Sequence, residues 1–223
     1  HRDLHSFPTR RSSDLLGEGG MVITRDPDLF ERMSLYRSHC TRVYGPSTKY
    51  CLIDENKYPK GKWFWRQEFD DTGYNFRLTD IQAAVGIEQL KKLDHFNRLR
   101  NENAAYLTNA LSGLNGLLLP QVPAGYEHTF HLYMVQLDEK AFGMNRIDFI
   151  YEMLYSHGIK VGTHYSPLHL TEAFRRRGHK AGECPIAENA GERIVTLPLN
   201  PRQTHEELDY MVECIYKLAK KNS

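Results

Sequence analysis

One long helical period constrains this chain more than any other feature. Thr79-Asp80-Ile81-Gln82 sets a hydroxyl three positions ahead of an amide, the two halves of a capping box. Apolar residues then recur at helical spacing through Ile81, Val85, Leu90, Leu93, Phe96, Ala104, Leu107 and Leu111, and Gly113 stands where such a helix would stop. Unbroken, this is a rod of roughly 50 Å. No heptad with paired e and g charges is sustained, so it reads as a helix (79–113) joining two parts of a fold, not as a coiled coil.

The two sides of the rod differ. Downstream, His131–Leu137 reads as a strand, and Asn145 caps a helix through Ile147, Ile150 and Leu154 that ends at Gly158. Ile159–Tyr165 reads as a second strand, Ala187–Ile194 as a short helix and Val195–Leu199 as a short strand. Thr204-His205-Glu206-Glu207, another capping box, opens a last helix with Leu208, Met211, Val212, Ile215 and Leu218. Strands alternating with helices predict a C-terminal α/β or α+β domain over 114–223. Upstream, a short strand Met21–Thr24 leads to a helix capped by Asp26-Pro27 and carrying Leu29, Phe30, Met33 and Tyr36. From Cys40 to Glu68 the chain lacks a period and reads as a long surface loop.

The first fifteen residues, HRDLHSFPTRRSSDL, fit none of this. They carry no apolar period and no signal-peptide core. Back-translated with one choice of codons, they resemble a common short-read sequencing adaptor. Residues 1–15 are therefore expected to be foreign to the fold, with the natural chain entering in mid-protein near Leu16. Removing their three arginines and two aspartates leaves the charges balanced.

Composition narrows the function classes. The 223 residues are 40% hydrophobic and 26% charged, as in a globular protein. A net charge of +1 offers no basic excess for a phosphate backbone, so nucleic acid is not an expected partner. No run approaches the ~18 apolar residues of a membrane span. The four cysteines, Cys40, Cys51, Cys184 and Cys214, show no CxxC spacing, which suggests a reducing, cytoplasmic setting.

Four strings go further: Gly17-Glu18-Gly19-Gly20; Gly73-Tyr74-Asn75-Phe76-Arg77 running into Thr79-Asp80-Ile81-Gln82-Ala83-Ala84; His164-Tyr165-Ser166-Pro167-Leu168-His169; and Leu197-Pro198-Leu199. Singly each has an ordinary reading. The glycines suit a tight turn, Asn75 suits a turn cap, and an arginine such as Arg77 commonly lies solvated on a surface. His164 and His169 are two of eleven histidines, and no third ligand stands at metal spacing beside them.

In this order the strings resemble the DegT/DnrJ/StrS family of pyridoxal-phosphate (PLP) aminotransferases, which act on nucleotide-linked keto sugars. The resemblance spans essentially all of 16–223. It implies the α/β fold of type I PLP-dependent transferases, here truncated. Residues 16–78 would be the tail of the large PLP domain, with the GYNxR loop at its end. The long helix would then lead into the small C-terminal α/β domain.

The resemblance also implies roles. Asn75 would reach the PLP phosphate of a partner subunit, making the active sites those of a homodimer interface. Tyr74 and Arg77 would line the substrate side, and His164, Tyr165 and His169 would close over the sugar. The amino donor would be an amino acid, usually glutamate. The Schiff-base lysine would fall a few residues before Gly17, near Ser12. No lysine occurs before Lys49, so no catalytic residue of that kind is assigned and the chain itself is expected to be inactive. A non-catalytic sugar-binding or regulatory member, or an interaction module, remains the alternative at this point.

Overall fold

The computed structural model describes residues 20–41, 69 and 71–221. The adaptor-like segment, Gly17–Gly19 and most of the loop after Cys40 lie outside them. The chain divides into two compact units, one within Ser12–Gln89 and one within Leu90–Ser223.

The first unit holds helix α1 (Pro27–Arg37) and helix α2 (Asp80–Leu90). Asp26 caps α1 as expected, its carboxylate accepting from the amides of Asp28 at 2.9 Å and Leu29 at 3.1 Å. The Thr79 box opens α2 with both reciprocal bonds: Thr79 N–H to Gln82 Oε1 at 3.1 Å, and Gln82 N–H to Thr79 Oγ1 at 3.3 Å. The strand expected at Met21–Thr24 does not form. No strand runs beside it among the described residues, so its backbone has no ladder to join, and Met21 is 86% exposed.

The helical period is divided. Helix α2 ends at Leu90, a turn at Lys91-Lys92 intervenes, and helix α3 runs Leu93–Ala110. The division falls at the boundary between the units, and only the second helix buries side chains. In α2 no residue is buried, whereas α3 buries Asn103, Ala104 and Leu107. A period shared across Lys91-Lys92 conceals two separate packing duties.

The second unit is built on a three-stranded antiparallel sheet in the order β1-β2-β3. Its strands are β1 (Leu117–Leu118), β2 (Tyr133–Leu137) and β3 (Ile194–Leu197). Of the α/β and α+β characters expected for the C-terminal domain, it has the α+β one, because each strand pairs antiparallel to its neighbour. In β2 the alternate residues Tyr133, Val135 and Leu137 are buried, and against β3 they register as Tyr133↔Leu197 and Val135↔Val195.

Helices α4 (Glu139–Phe142), α5 (Arg146–Tyr151), α6 (Glu172–Arg175), α7 (Pro185–Arg193) and α8 (His205–Lys221) complete the unit. Asn145 caps α5 through Asp148 N–H at 2.9 Å, and a wider π turn (Glu152–Ser156) carries the helix on towards Gly158. Phe149 and Met153 enter the core from there, and Leu208, Met211, Ile215 and Leu218 enter it from α8. Each such burial contributes about 1.5–3 kcal/mol relative to exposure. The buried Tyr133 hydroxyl lies 2.8 Å from Thr108 Oγ1, and Asn103 donates to the carbonyl of Asn200 at 3.1 Å. These two buried polar side chains are thereby paired.

The strand expected over Ile159–Tyr165 is reduced to one antiparallel bridge, Gly162↔Thr196. Ile159 and Val161 still turn inward, so the apolar pattern reports their burial. The chain then leaves the sheet edge for the His164–His169 segment.

Candidate active site

The GYNxR segment is fastened to the end of α1. Tyr74 N–H donates to the carbonyl of Tyr36 at 2.9 Å, His39 N–H to that of Tyr74 at 2.8 Å, and Phe76 N–H to that of Arg37 at 2.9 Å. Ser38 and Asn75 form an antiparallel bridge. Gly73 makes this approach possible: a Cβ there would lie 2.3 Å from the Cys40 nitrogen and 2.4 Å from the His39 carbonyl carbon. His39 and Cys40 themselves hold positive φ values of 60° and 52°, an uncommon conformation for non-glycine residues.

In this extended stretch Tyr74 and Phe76 stack with ring centroids 4.9 Å apart. Asn75 and Arg77 fall on the alternate side. Arg77 Nη1 donates to Ser38 Oγ at 2.8 Å. The exposed Asn75 carboxamide makes no hydrogen bond among the described residues, which leaves its amide N–H groups for a ligand. Behind the segment, the Tyr36 hydroxyl donates to Asp71 Oδ2 at 2.6 Å. That bond holds the Asp71 carboxyl below the usual carboxylate range and pushes the Tyr36 phenol up.

The second unit positions the histidines. His164 Nδ1 lies 2.9 Å from Oγ1 of Thr196, a buried residue of β3. The Gly162 and Thr196 backbones exchange hydrogen bonds of 2.9 and 2.7 Å beneath it. His169 Nε2 lies 2.8 Å from Glu188 Oε1, and both side chains are largely covered, at 11% and 20% exposure. Tyr165 stands 63% exposed between them in sequence. Tyr74, Asn75 and Arg77 thus gather in one unit, and His164, Tyr165 and His169 in the other. Sequence reasoning missed Ser38, Thr196 and Glu188, the residues that hold three of these side chains. A serine after a helix, a threonine in an apolar strand and one glutamate among many carry no local mark.

A cavity of about 430 Å³ lies beside α7, lined by Gln136, Pro185, Ile186, Asn189, Ala190 and Arg193. At about 100° per residue, Ile186, Ala190 and Arg193 of that lining occupy the helix face opposite Glu188. It contains none of the expected site residues. No cluster of three metal-ligating side chains occurs among the described residues, and no helix there is long and apolar enough to cross a membrane. For PLP, the Asn75 carboxamide offers N–H donors that suit a phosphate oxygen. The amine expected before Gly17 is not in the chain.

Comparison with known proteins agrees with the strings that carry this site. The model of the DegT/DnrJ/EryC1/StrS aminotransferase family matches residues 4–216, so its span opens within the adaptor-like segment. The chain belongs to that family. It is 31% identical over 206 residues to the spore coat polysaccharide biosynthesis protein SpsC of Bacillus subtilis, covering 92% of this chain and 50% of SpsC. Among solved structures it is similar to the aminotransferase TlmJ of Streptoalloteichus hindustanus, with TM-score 0.73 and 27% identity, over 92% of this chain and 49% of TlmJ. It is also similar to Helicobacter pylori PseC, an aminotransferase involved in the biosynthesis of pseudoaminic acid. There the TM-score is 0.71 and the identity 25%, over 89% of this chain and 48% of PseC. The chain therefore spans about half the length of the relatives it matches, and over that half it shares their fold.

Proposed function

We propose that this chain is the C-terminal part of a fold-type-I, PLP-dependent aminotransferase. The reaction transfers an amino group from an amino acid, glutamate by family habit, to a nucleotide-linked keto sugar. The observation that best supports this reading is the seating of Gly73–Arg77 on the end of α1, which holds Asn75 and Tyr74 outward on a fixed backbone. PLP, when bound, supplies the electron sink through which an amino group changes carbon.

The chain's own residues bind and orient. Asn75 donates to a cofactor phosphate oxygen in the site of a second copy, which makes the assembly a homodimer. Arg77, with Nη1 given to Ser38, keeps further donors for the phosphates of the nucleotide. Tyr74 walls the cleft, and His164, Tyr165 and His169 meet the sugar. The near-balance of charge leaves no basic excess for a nucleic-acid partner.

Without a lysine before Lys49, the 223-residue chain by itself is expected to be inactive and to hold PLP weakly. Borohydride reduction of the chain with PLP, followed by peptide mapping, should then label no single lysine. One stoichiometric adduct on one lysine of the folded chain would refute the inactivity. The same missing lysine is the observation that favours a second reading, a non-catalytic sugar-binding or regulatory member of the family. Reading the source DNA upstream of Leu16 separates the two. The enzyme requires a lysine codon shortly before Gly17 within a long open frame, whereas a start codon near Met21 would sink it.

A further inference from the structure

Glu188 stands in the first turn of α7, where a carboxylate is favoured by the helix dipole. Its Oε1 lies 2.8 Å from His169 Nε2 and accepts from Gly182 N–H at 2.8 Å and from Cys184 N–H at 3.2 Å. Its Oε2 takes the same Gly182 N–H at 3.0 Å. One side chain thus ties the His169 loop, the Gly182 turn and the start of α7 together. The His169 bond, helped by the two amides, holds the Glu188 carboxyl below the usual carboxylate range.

Three residues further along the same helix face, Gly191 receives Pro167. A Cβ at Gly191 would lie 2.7 Å from Pro167 Cδ and 2.9 Å from Cγ. Arg146 Nη1 donates to the Gly191 carbonyl on the same turn. The Pro167–His169 segment is therefore seated on α7 twice, by packing at Gly191 and by hydrogen bonding at Glu188.

This arrangement decides which imidazole nitrogen carries the proton. An ionised carboxylate only accepts, so Nε2 of His169 must donate. In the neutral ring Nδ1 is then the acceptor, and it has no hydrogen-bond partner among the described residues. We propose that Glu188 is a positioning residue that holds His169 as the Nε2–H tautomer on a fixed loop, leaving Nδ1 as an acceptor for a sugar hydroxyl. The proposal rests on the reading of His169 as a substrate contact. It refines the ligand chemistry, because a neutral acceptor nitrogen suits a hydroxyl donor and repels a phosphate oxygen.

The test uses the 223-residue chain labelled with ¹⁵N-histidine, at a pH well above the ordinary imidazole value of about 6.5. Multiple-bond ¹H–¹⁵N correlations report the tautomer of each ring. In the wild-type chain His169 should be almost wholly Nε2–H. Glu188→Met keeps side-chain volume without an acceptor, and should lower the ratio of Nε2–H to Nδ1–H at least ~fivefold. Glu188→Gln should lower it partway, because the orientation that keeps the His169 bond turns the NH₂ against Gly182 N–H. Gly182 amide exchange should quicken in both. Whichever variant retains native amide dispersion decides the matter, and an unchanged tautomer ratio in it overturns the proposal.

Adding UDP-glucose, with UDP alone as control, probes the underlying reading separately. A change at His169 Nδ1 with the sugar nucleotide only is the supporting result. A wild-type ratio that collapses in the variants, with no response to UDP-glucose, would strike the substrate contact and leave the Glu188 clasp standing.

Discussion

Gly73 shows how much a single missing Cβ controls. Gly73→Ala would drive a methyl into the backbone of His39 and Cys40, which cannot rotate aside. Overpacking of this kind costs about 1–3 kcal/mol. Exchange of the His39 and Tyr74 amides should accordingly accelerate roughly tenfold or more, and unchanged exchange would contradict the close approach. The Tyr36–Asp71 pair adds a pH test beside it. Asp71 is depressed in the folded chain, so its contribution is present above the unfolded carboxylate value and disappears as pH falls through the lowered one. Tyr36 is raised, so its contribution persists below the ordinary phenol value and disappears as pH climbs through the raised one. The Thr72 amide, 2.7 Å from Asp71 Oδ1, should report both inflections, and Asp71→Asn should abolish them. At this scale Asn75, Arg77 and the two histidines stand out in the sequence as candidates, because they sit in strings with a recognisable order. Glu188 and Thr196 do not, since what distinguishes them is a partner distant along the chain.

Helix starts were the most legible elements, because a cap is a local event. Asp26, Thr79, Asn145 and Thr204 each stand where expected, and Thr204 makes the full reciprocal pair with Glu207 at 3.0 and 3.3 Å. Thr204→Ala should lower the stability of the second unit by about 1 kcal/mol, read as a shift in its denaturant midpoint at unchanged slope. No shift would mean that core burial by α8 alone sets its start. Elements that depend on distant pairing were harder to read. β1 is only two residues long, and the Ile159–Tyr165 run carries a strand's apolar pattern without a strand's ladder. The turn at Lys91-Lys92 lacks proline and glycine, so nothing local announces it.

For the whole molecule, the distribution of burial is uneven. Apart from Cys40, every buried hydrophobic side chain among the described residues lies between Ala104 and Leu218. The slowest-exchanging amides should therefore belong to α3, β2, β3 and α8, at least ~100-fold slower than those of α1 and α2. Equal protection across the described residues of both units would refute that division. In an extended chain that includes the lysine, mixed dimers would test the assembly. Pairing an Asn75→Ala subunit with a lysine-less one should leave about half of wild-type activity if Asn75 serves the neighbour's cofactor. Activity near zero would place Asn75 in its own subunit's site. The two fastenings of the His169 loop have a consequence for descent. Pro167 and Glu188 mark the ends of a stretch whose ends stay close together, and doubling the length of such a loop costs only about 0.6 kcal/mol. Mutation can lengthen, shorten or recharge the stretch between Thr171 and Lys180 while both fastenings and the sheet behind them keep their places. Novelty can accumulate there at little risk to the fold, and a lineage could change what it recognises without relearning how to fold.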